Sequence, residues 1–417
     1  MSDILERLKK LQDTRGDEIE AWFTLKRAEA MPFLTTSVDL RHNGRRLVPV
    51  DTNLFPAGFN NLSPRARARA SRFIAHFLED HIPQAKRILI IPENHTRNLG
   101  YLENLAVMTH LFAALNLDVR IGSLAAEAGQ PIQLETPSGK QLTQYPLVRE
   151  GDTLRLEDGF TPDLVVMNND MTSGAPAQLI DLAQPVMPPV GMGWYSRRKS
   201  IHFDEYRKLL REFCGVFGLD PWLFKADFFH CGLVDFKERT NINRVAAAVK
   251  KVLDNARRKH EEHGIKDEPY VFVKADSGTY GMGIMTVRSP EEIFEMNKKE
   301  RNKMNVIKEG AQVSEVIIQE GIPTTDTVDG APAEPMVYMI DGVPIGGMWR
   351  VNGERDAFNN LNAAGMRFVG MCDEGEEPDC PDSRPLVDCH FRSFGIIAAL
   401  AALAAARENY DSFMLNL

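Results

Sequence analysis

Apolar residues recur at helical spacing over residues 4–11 and again over 66–78, and both stretches predict amphipathic helices. Residues 87–91 form a short continuous apolar run of the kind that makes a buried strand, and the run ends in the polar turn Pro92-Glu93-Asn94-His95-Thr96-Arg97-Asn98. Residues 101–115 return to helical spacing through Leu102, Leu105, Ala106 and Phe112, and residues 119–121 read as a second strand. The pattern is a β-α-β unit whose polar turn falls at the carboxyl end of its first strand, where open α/β sheets bind ligands. Residues 164–167 predict a further strand ending in Asn168, Asn169 and Asp170, which repeats that geometry.

A helix over 204–217 closes this first region, and Asp220-Pro221 marks a boundary. Beyond it the pattern predicts a helix over 243–257 and strands over 270–273, 284–287 and 316–319. A hairpin follows, with strands 336–340 and 343–351 about the turn Asp341-Gly342. The apolar stretch 395–406 is alanine-rich and shorter than the ~20 residues that span a bilayer, so it predicts a closely packed buried helix. The expected fold is α/β (α+β): an α/β substrate domain over residues 1–218, then a nucleotide-binding domain over 219–417 that ends in the buried helix.

Composition narrows the function classes. A chain of 417 residues with 43% hydrophobic and 26% charged residues reads as a soluble protein of two or three domains. A net charge of −9 gives no support to nucleic-acid binding, and the basic groups at Arg65, Arg67, Arg69 and Arg72 read as a solvated helix face. The first residues carry Asp3, Glu6, Arg7, Lys9 and Lys10 without an apolar core, so no secretory signal is expected. Five cysteines without paired spacing point to a reducing compartment and a cytoplasmic location. Three of them fall in the acidic stretch 372–390 beside His390, but their spacing matches no zinc pattern and reads as an exposed loop.

The candidate chemistry centres on Lys274. It ends an apolar strand, and Ser277, Gly278, Gly281 and Gly283 follow in a glycine-rich turn before the next strand. Glycines let main-chain N–H groups approach an anion closely, so strand, lysine and loop together make a phosphate grip. The order G-x-x-G-x-G followed by a strand fits neither a Walker loop nor a dinucleotide fingerprint, and a ligand-free hairpin is the competing reading. At the first strand end, Asn94, His95 and Arg97 form an amino-acid pocket, with Arg97 suited to clamp a carboxylate; the alternative there is a helix N-terminus capped by Thr96 or Asn98. Asn169 at the second such strand end and Arg197 in the basic turn 191–199 are further substrate-binding candidates, the turn otherwise reading as a surface loop. Gln319 and Glu320 leave a strand as a hinge able to meet an adenine edge and ribose hydroxyls. Arg350 ends a hairpin strand, and residues 359–365 form a small-residue polar turn of the kind that accommodates phosphates or metal, with Asn360 and Asn362 as substrate-binding candidates.

Over residues 225–367 this order of elements resembles the ATP-grasp carboxylate–amine ligases, in their glutathione-synthetase-like branch. The resemblance implies that Lys225 and Lys274 contact ATP phosphates, that Ser277, Gly278, Gly281 and Gly283 close over them, and that Gln319 and Glu320 meet adenine and ribose. It further implies that Arg350 stabilises a reacting acyl phosphate, and that the turn with Asn360 and Asn362 is the family's small-residue turn. The segments IPENHTRNLGY and VRIGSL are similar, more narrowly, to a glutamate–cysteine ligase family, over nearly the whole chain. The implied reaction uses ATP and Mg²⁺ to join glutamate to the amine of cysteine, without a protein nucleophile. Another ATP-grasp ligase such as glutathione synthetase, or a non-catalytic ATP-binding protein, are the alternatives. The family's E-x-N metal motif is missing from residues 391–417, which leaves the Mg²⁺ ligands unassigned, with Asn362 and Glu408 as candidates.

Overall fold

The computed structural model describes residues 3–94, 98–277, 284–304, 307–308, 311–312, 315–371 and 390–408. His95, Thr96 and Arg97, the loop 278–283 and the cysteine-bearing stretch 372–389 lie outside the described residues, and the expectations placed on them carry no structural reading.

The β-α-β unit forms as expected. Strand Arg87–Pro92 lies at the centre of a mixed sheet, parallel to Asp118–Ser123 on one side and to Leu164–Asn168 on the other. Its residues from Ile88 onward are buried on both faces, which explains why they read as a continuous apolar run. Pro64–His81 and Leu99–Ala113 pack on it; Ser63 caps the first by accepting the Ala66 amide, and Asn98 caps the second by accepting the Tyr101 amide. The capping reading of residues 92–98 is therefore observed at Asn98.

A second sheet is wholly antiparallel, in the order Met366–Gly370, Val343–Asn352, Ala331–Ile340, Thr35–His42, Leu47–Asn53. Its last two strands come from the start of the chain. The expected division at residue 218 thus does not follow the sheets, because a hairpin from within 1–218 completes a sheet belonging to 219–417. A third sheet orders Phe228–Leu233, Glu315–Glu320, Val271–Ala275 and Met285–Val287, and Ile242–His263 covers it through Val245, Val249 and Val252.

The alanine-rich segment forms helix Phe391–Arg407, buried almost throughout. It packs against Lys199–Phe217, Ile4–Glu29 and the antiparallel sheet, and its small side chains let these backbones approach closely. No helix among the described residues is long and apolar enough to cross a membrane.

Ala401 has no exposed surface. Ala401→Leu is expected to lower the unfolding free energy by about 1–3 kcal/mol through overpacking, read from the denaturant midpoint at unchanged m-value.

Candidate active site

The antiparallel sheet carries a network of buried charges. Arg350 stands opposite Glu334 in the register, and its Nη1 donates to Glu334 Oε1 at 2.5 Å and to Asp39 Oδ2 at 2.6 Å. Arg41 Nε reaches the other Glu334 oxygen at 2.6 Å. Arg41 also donates to the carbonyls of Ala357 and Asn359, which ties the small-residue turn to the sheet. Burial would push the Glu334 carboxyl up, but Arg41 and Arg350 outweigh it and hold it below its usual range. Asp39 goes the other way: burial raises it, Arg350 opposes, and the neighbouring Glu334 and Asp51 carboxylates add to the rise. Arg350 is raised, because its two carboxylates outweigh the cost of burial.

Lys274 enters from the third sheet. Phe272 pairs with Gln319 in the ladder, so Lys274 and Gln319 are diagonal neighbours on one face, and Lys274 Nζ donates to Gln319 Oε1 at 2.5 Å. Gln319 Nε2 is buried without a hydrogen-bond partner among the described residues, as is Arg350 Nε. Burial lowers the Lys274 ammonium to about 8, with Lys199 and Arg41 also lowering it and Asp51 and Glu334 opposing. These influences show that the ends of both sheets act on one region.

Lys199 supplies a further cation. Its Nζ lies 2.6 Å from Asp51 Oδ1 and 4.4 Å from the Trp194 ring centroid. Although burial opposes it, Lys199, Lys274 and Arg197 hold Asp51 at about 2. The segment is pinned to the end of the Lys274 strand, since the Lys199 amide donates to the Asp276 carbonyl and Ser200 donates to the Asp276 carboxylate through both N and Oγ. Within the basic turn, Lys199 is the residue brought to the site.

Arg197 has a different place. Its Nε and Nη2 grip Glu408 at 2.7 and 2.8 Å, and its Nη1 donates to the Thr52 carbonyl. His202, which burial lowers although Glu408 opposes, meets Glu408 through Nδ1 at 2.6 Å and the Thr52 hydroxyl through Nε2 at 2.9 Å. Both oxygens of Glu408 are engaged and buried, so it is corrected from candidate metal ligand, and Arg197 from substrate-binding candidate, to a lock between the end of helix Phe391–Arg407 and Leu47–Asn53.

Glu320 is corrected likewise. Its carboxylate receives Arg46 at 2.5 and 3.0 Å and the Asp227 amide at 3.0 Å, and neither Glu320 nor Arg46 is exposed by more than 2%. That leaves no oxygen directed to a ribose. Arg46 also lies 4.2 Å over Trp222 and donates to the Lys225 carbonyl, while Lys225 Nζ pairs with Asp227 at 2.7 Å. Lys225 is thereby fixed near the strand exit, where Gly321 is required: a Cβ there would stand 2.1 Å from the Tyr270 ring.

Asn360 and Asn362 line a cavity of about 320 Å³ with Met285, Thr286, Glu300 and Arg355, between the edge of the third sheet and the small-residue turn. Ser277 is described at the end of the Lys274 strand, half-buried. Asn94 is exposed beyond the parallel sheet; Asn169 is buried, donates to the Pro92 carbonyl and accepts the Met171 amide, which makes it a turn residue. Among the described residues no three His, Cys, Asp or Glu side chains converge as a metal cage.

Cations from several segments thus act on one region, and neither of the described cysteines, Cys214 and Cys231, takes part in it. Cys214 and Cys231 are buried with their thiols pushed up to about 12 and 11, which leaves them unreactive. The family model for GshA, glutamate-cysteine ligase, matches residues 9–409. The chain belongs to the glutamate–cysteine ligase family. A solved structure from Methylobacillus flagellatus KT, described as a "putative gamma-glutamylcysteine synthetase", is 41% identical, with a TM-score of 0.89 over 98% of this chain and 97% of that one. A D-alanyl-alanine synthetase A from Vibrio cholerae is 11% identical at a TM-score of 0.30, over 70% of this chain and 76% of that one. That second likeness is too slight to carry an argument. No curated protein matches the chain.

Removing one partner of the Arg46–Glu320 pair leaves a buried charge unpaired. Glu320→Ala is expected to cost about 3–5 kcal/mol in denaturant unfolding, and the double variant Arg46→Met/Glu320→Leu to recover most of it.

Proposed function

We propose that the protein joins the γ-carboxyl group of glutamate to the amine of cysteine, cleaving ATP to ADP and phosphate and giving γ-glutamylcysteine, the first step of glutathione synthesis. We assign it the ATP-grasp arrangement, with nucleotide held between the antiparallel sheet and the sheet of Lys274. The observation that carries the reading is the convergence of Lys274, Lys199, Arg41 and Arg350 in a chain of this family.

Charge determines the roles. In phosphoryl transfer the chain has little covalent work; it positions the reactants and offsets charge on the phosphate oxygens. Lys274 and Lys225 serve the phosphates in this reading, and Gln319 Nε2, lacking a partner, serves a nucleotide acceptor. The γ-carboxylate of glutamate takes the phosphoryl group, and the cysteine amine attacks the resulting acyl phosphate. Arg350, held from two sides by Asp39 and Glu334, faces the developing oxyanion with its remaining N–H groups. Asn360 and Asn362 belong to the cavity wall on the nucleotide side.

Mg²⁺ is bound in many enzymes by one or two carboxylates together with substrate phosphates. Asp39 and Asp51 face each other across the paired strands, and Asp51 is partly exposed and ionised, so this hard oxygen pair fits the ion. Bound there, Mg²⁺ would offset phosphate charge. Cytoplasmic residence and a partner set limited to small amino-acid substrates complete the proposal.

The test is product analysis: with ATP, Mg²⁺, glutamate and cysteine, one γ-glutamylcysteine should form per ADP. ADP release that requires another acceptor would redirect the assignment within the ligases.

A folded Lys274→Met variant should lose about a hundredfold or more in kcat/KM for ATP, since the methionine keeps the apolar stem and removes only the charge. Retention of activity within a few-fold would remove Lys274 from the phosphate site.

The Lys274 pKa of about 8 lies below the usual lysine value, so between about pH 8 and 10.5 the unfolded state holds the proton more strongly than the native state. Wild-type stability relative to Lys274→Met should therefore rise with pH across that window. In the same window kcat/KM for ATP should fall, because the neutral amine no longer serves phosphate. A flat pH profile of kcat/KM up to pH 9.5 would contradict this.

A further inference from the structure

At the carboxyl end of the parallel sheet, one buried acceptor is left over. Asp170 follows strand Leu164–Asn168 and is 8% exposed. Every other polar atom of the residue is engaged: its amide donates to Glu93 Oε1 at 2.6 Å, its carbonyl accepts the Trp194 amide at 2.9 Å, and Oδ1 accepts the amide and hydroxyl of Thr172. Oδ2 has no partner among the described residues. A carboxyl oxygen buried without a donor is costly, and a donor brought by a ligand removes the cost.

The surroundings hold Asp170 in place. Asn169 ties the turn to the Pro92 carbonyl, and Met171 adopts φ 50, a left-handed conformation uncommon for a long side chain. Trp194, whose amide meets the Asp170 carbonyl, carries on its ring Lys199, the lysine that pairs with Asp51. Asn168 reaches across to the Pro56 carbonyl, a few residues beyond Leu47–Asn53. The strand end is therefore linked to Lys199 through Trp194.

We propose that Asp170 Oδ2 receives the α-ammonium group of the amino acid whose carboxylate is phosphorylated. This rests on the ligase reading above. The chemistry decides between the two substrates: a buried carboxylate favours the charged ammonium, whereas the attacking amine of cysteine must be neutral. Asp170 therefore suits glutamate, whose ammonium does not react. Anchored by that end, glutamate extends its γ-carboxylate toward Lys199 and Lys274.

The experiment compares glutamate with glutarate, which lacks the ammonium, in wild type and Asp170→Asn. The wild type should prefer glutamate by about a hundredfold or more in kcat/KM, as sites built to bind a polar group reject analogues without it. Asp170→Asn should collapse that ratio to within about tenfold, with KM for ATP and the unfolding midpoint nearly unchanged. An unchanged ratio, or an equal loss on both substrates, overturns the assignment of Asp170 alone. Should Asp170→Asn not fold, Asp170→Glu, which displaces the charge, is read in the same way; wild-type use of glutarate within about tenfold of glutamate overturns the proposal without any variant. Absence of turnover by the wild type with glutamate and cysteine overturns the ligase reading and this inference together.

Discussion

The register of Thr35–His42 between Ala331–Ile340 and Leu47–Asn53 is the constraint on which the site depends. It sets Asp39 against Met336 on one side and Asp51 on the other, while the next ladder sets Glu334 against Arg350. Because side chains alternate across a sheet, a slip of one residue would turn Asp39 and Arg41 to the opposite face and leave Arg350 and Glu334 with half their partners. The apolar half of the alternation enforces the register: Val38 and Leu40 have no exposed surface and belong to the core that includes the alanine-rich helix.

Buried cations persist only where anions offset the loss of hydration. Asp39, Asp51 and Glu334 fill that role for Arg350, Lys199 and Arg41, and the arrangement leaves Lys274 with a neutral partner, Gln319. Outside this group two sets of buried charges are closed. Arg46 with Glu320, and Arg197 with Glu408 and His202, each join segments distant in the chain and hold the strand exits that frame the site. The region is thus built of two kinds of charge, one fully matched and structural, the other incompletely matched.

What could be read from the chain follows from the range of the interactions concerned. The strands at residues 87–92 and 164–168, the hairpin over 331–352 and the alanine-rich helix announce themselves by local pattern, because each buries a continuous or alternating apolar run. The Asn43-Gly44 turn between two alternating segments was an equally local hairpin signal, with Gly44 at φ 74, yet nothing local says that this hairpin belongs to a sheet made 300 residues later. Lys274 and Arg350 are conspicuous as strand-end cations. Glu320, Arg197 and Glu408 are equally conspicuous and are claimed by partners that no spacing reveals. Lys199 and Asp170 had no motif of their own; their distinction lies in Asp51, Trp194 and an oxygen without a donor.

The pairing of Thr35 with Ile340 also governs how the chain is made. A ribosome delivers the hairpin of residues 35–53 long before the strands that flank it, so an unpaired strand edge persists through most of translation. The parallel sheet, whose strands all fall between residues 87 and 187, has its partners within reach and is able to condense early. The buried charges of Asp39, Arg41, Glu334 and Arg350 meet only when the late strands dock. A chain released before residue 352 carries an orphaned sheet edge, a surface prone to pairing with its own kind.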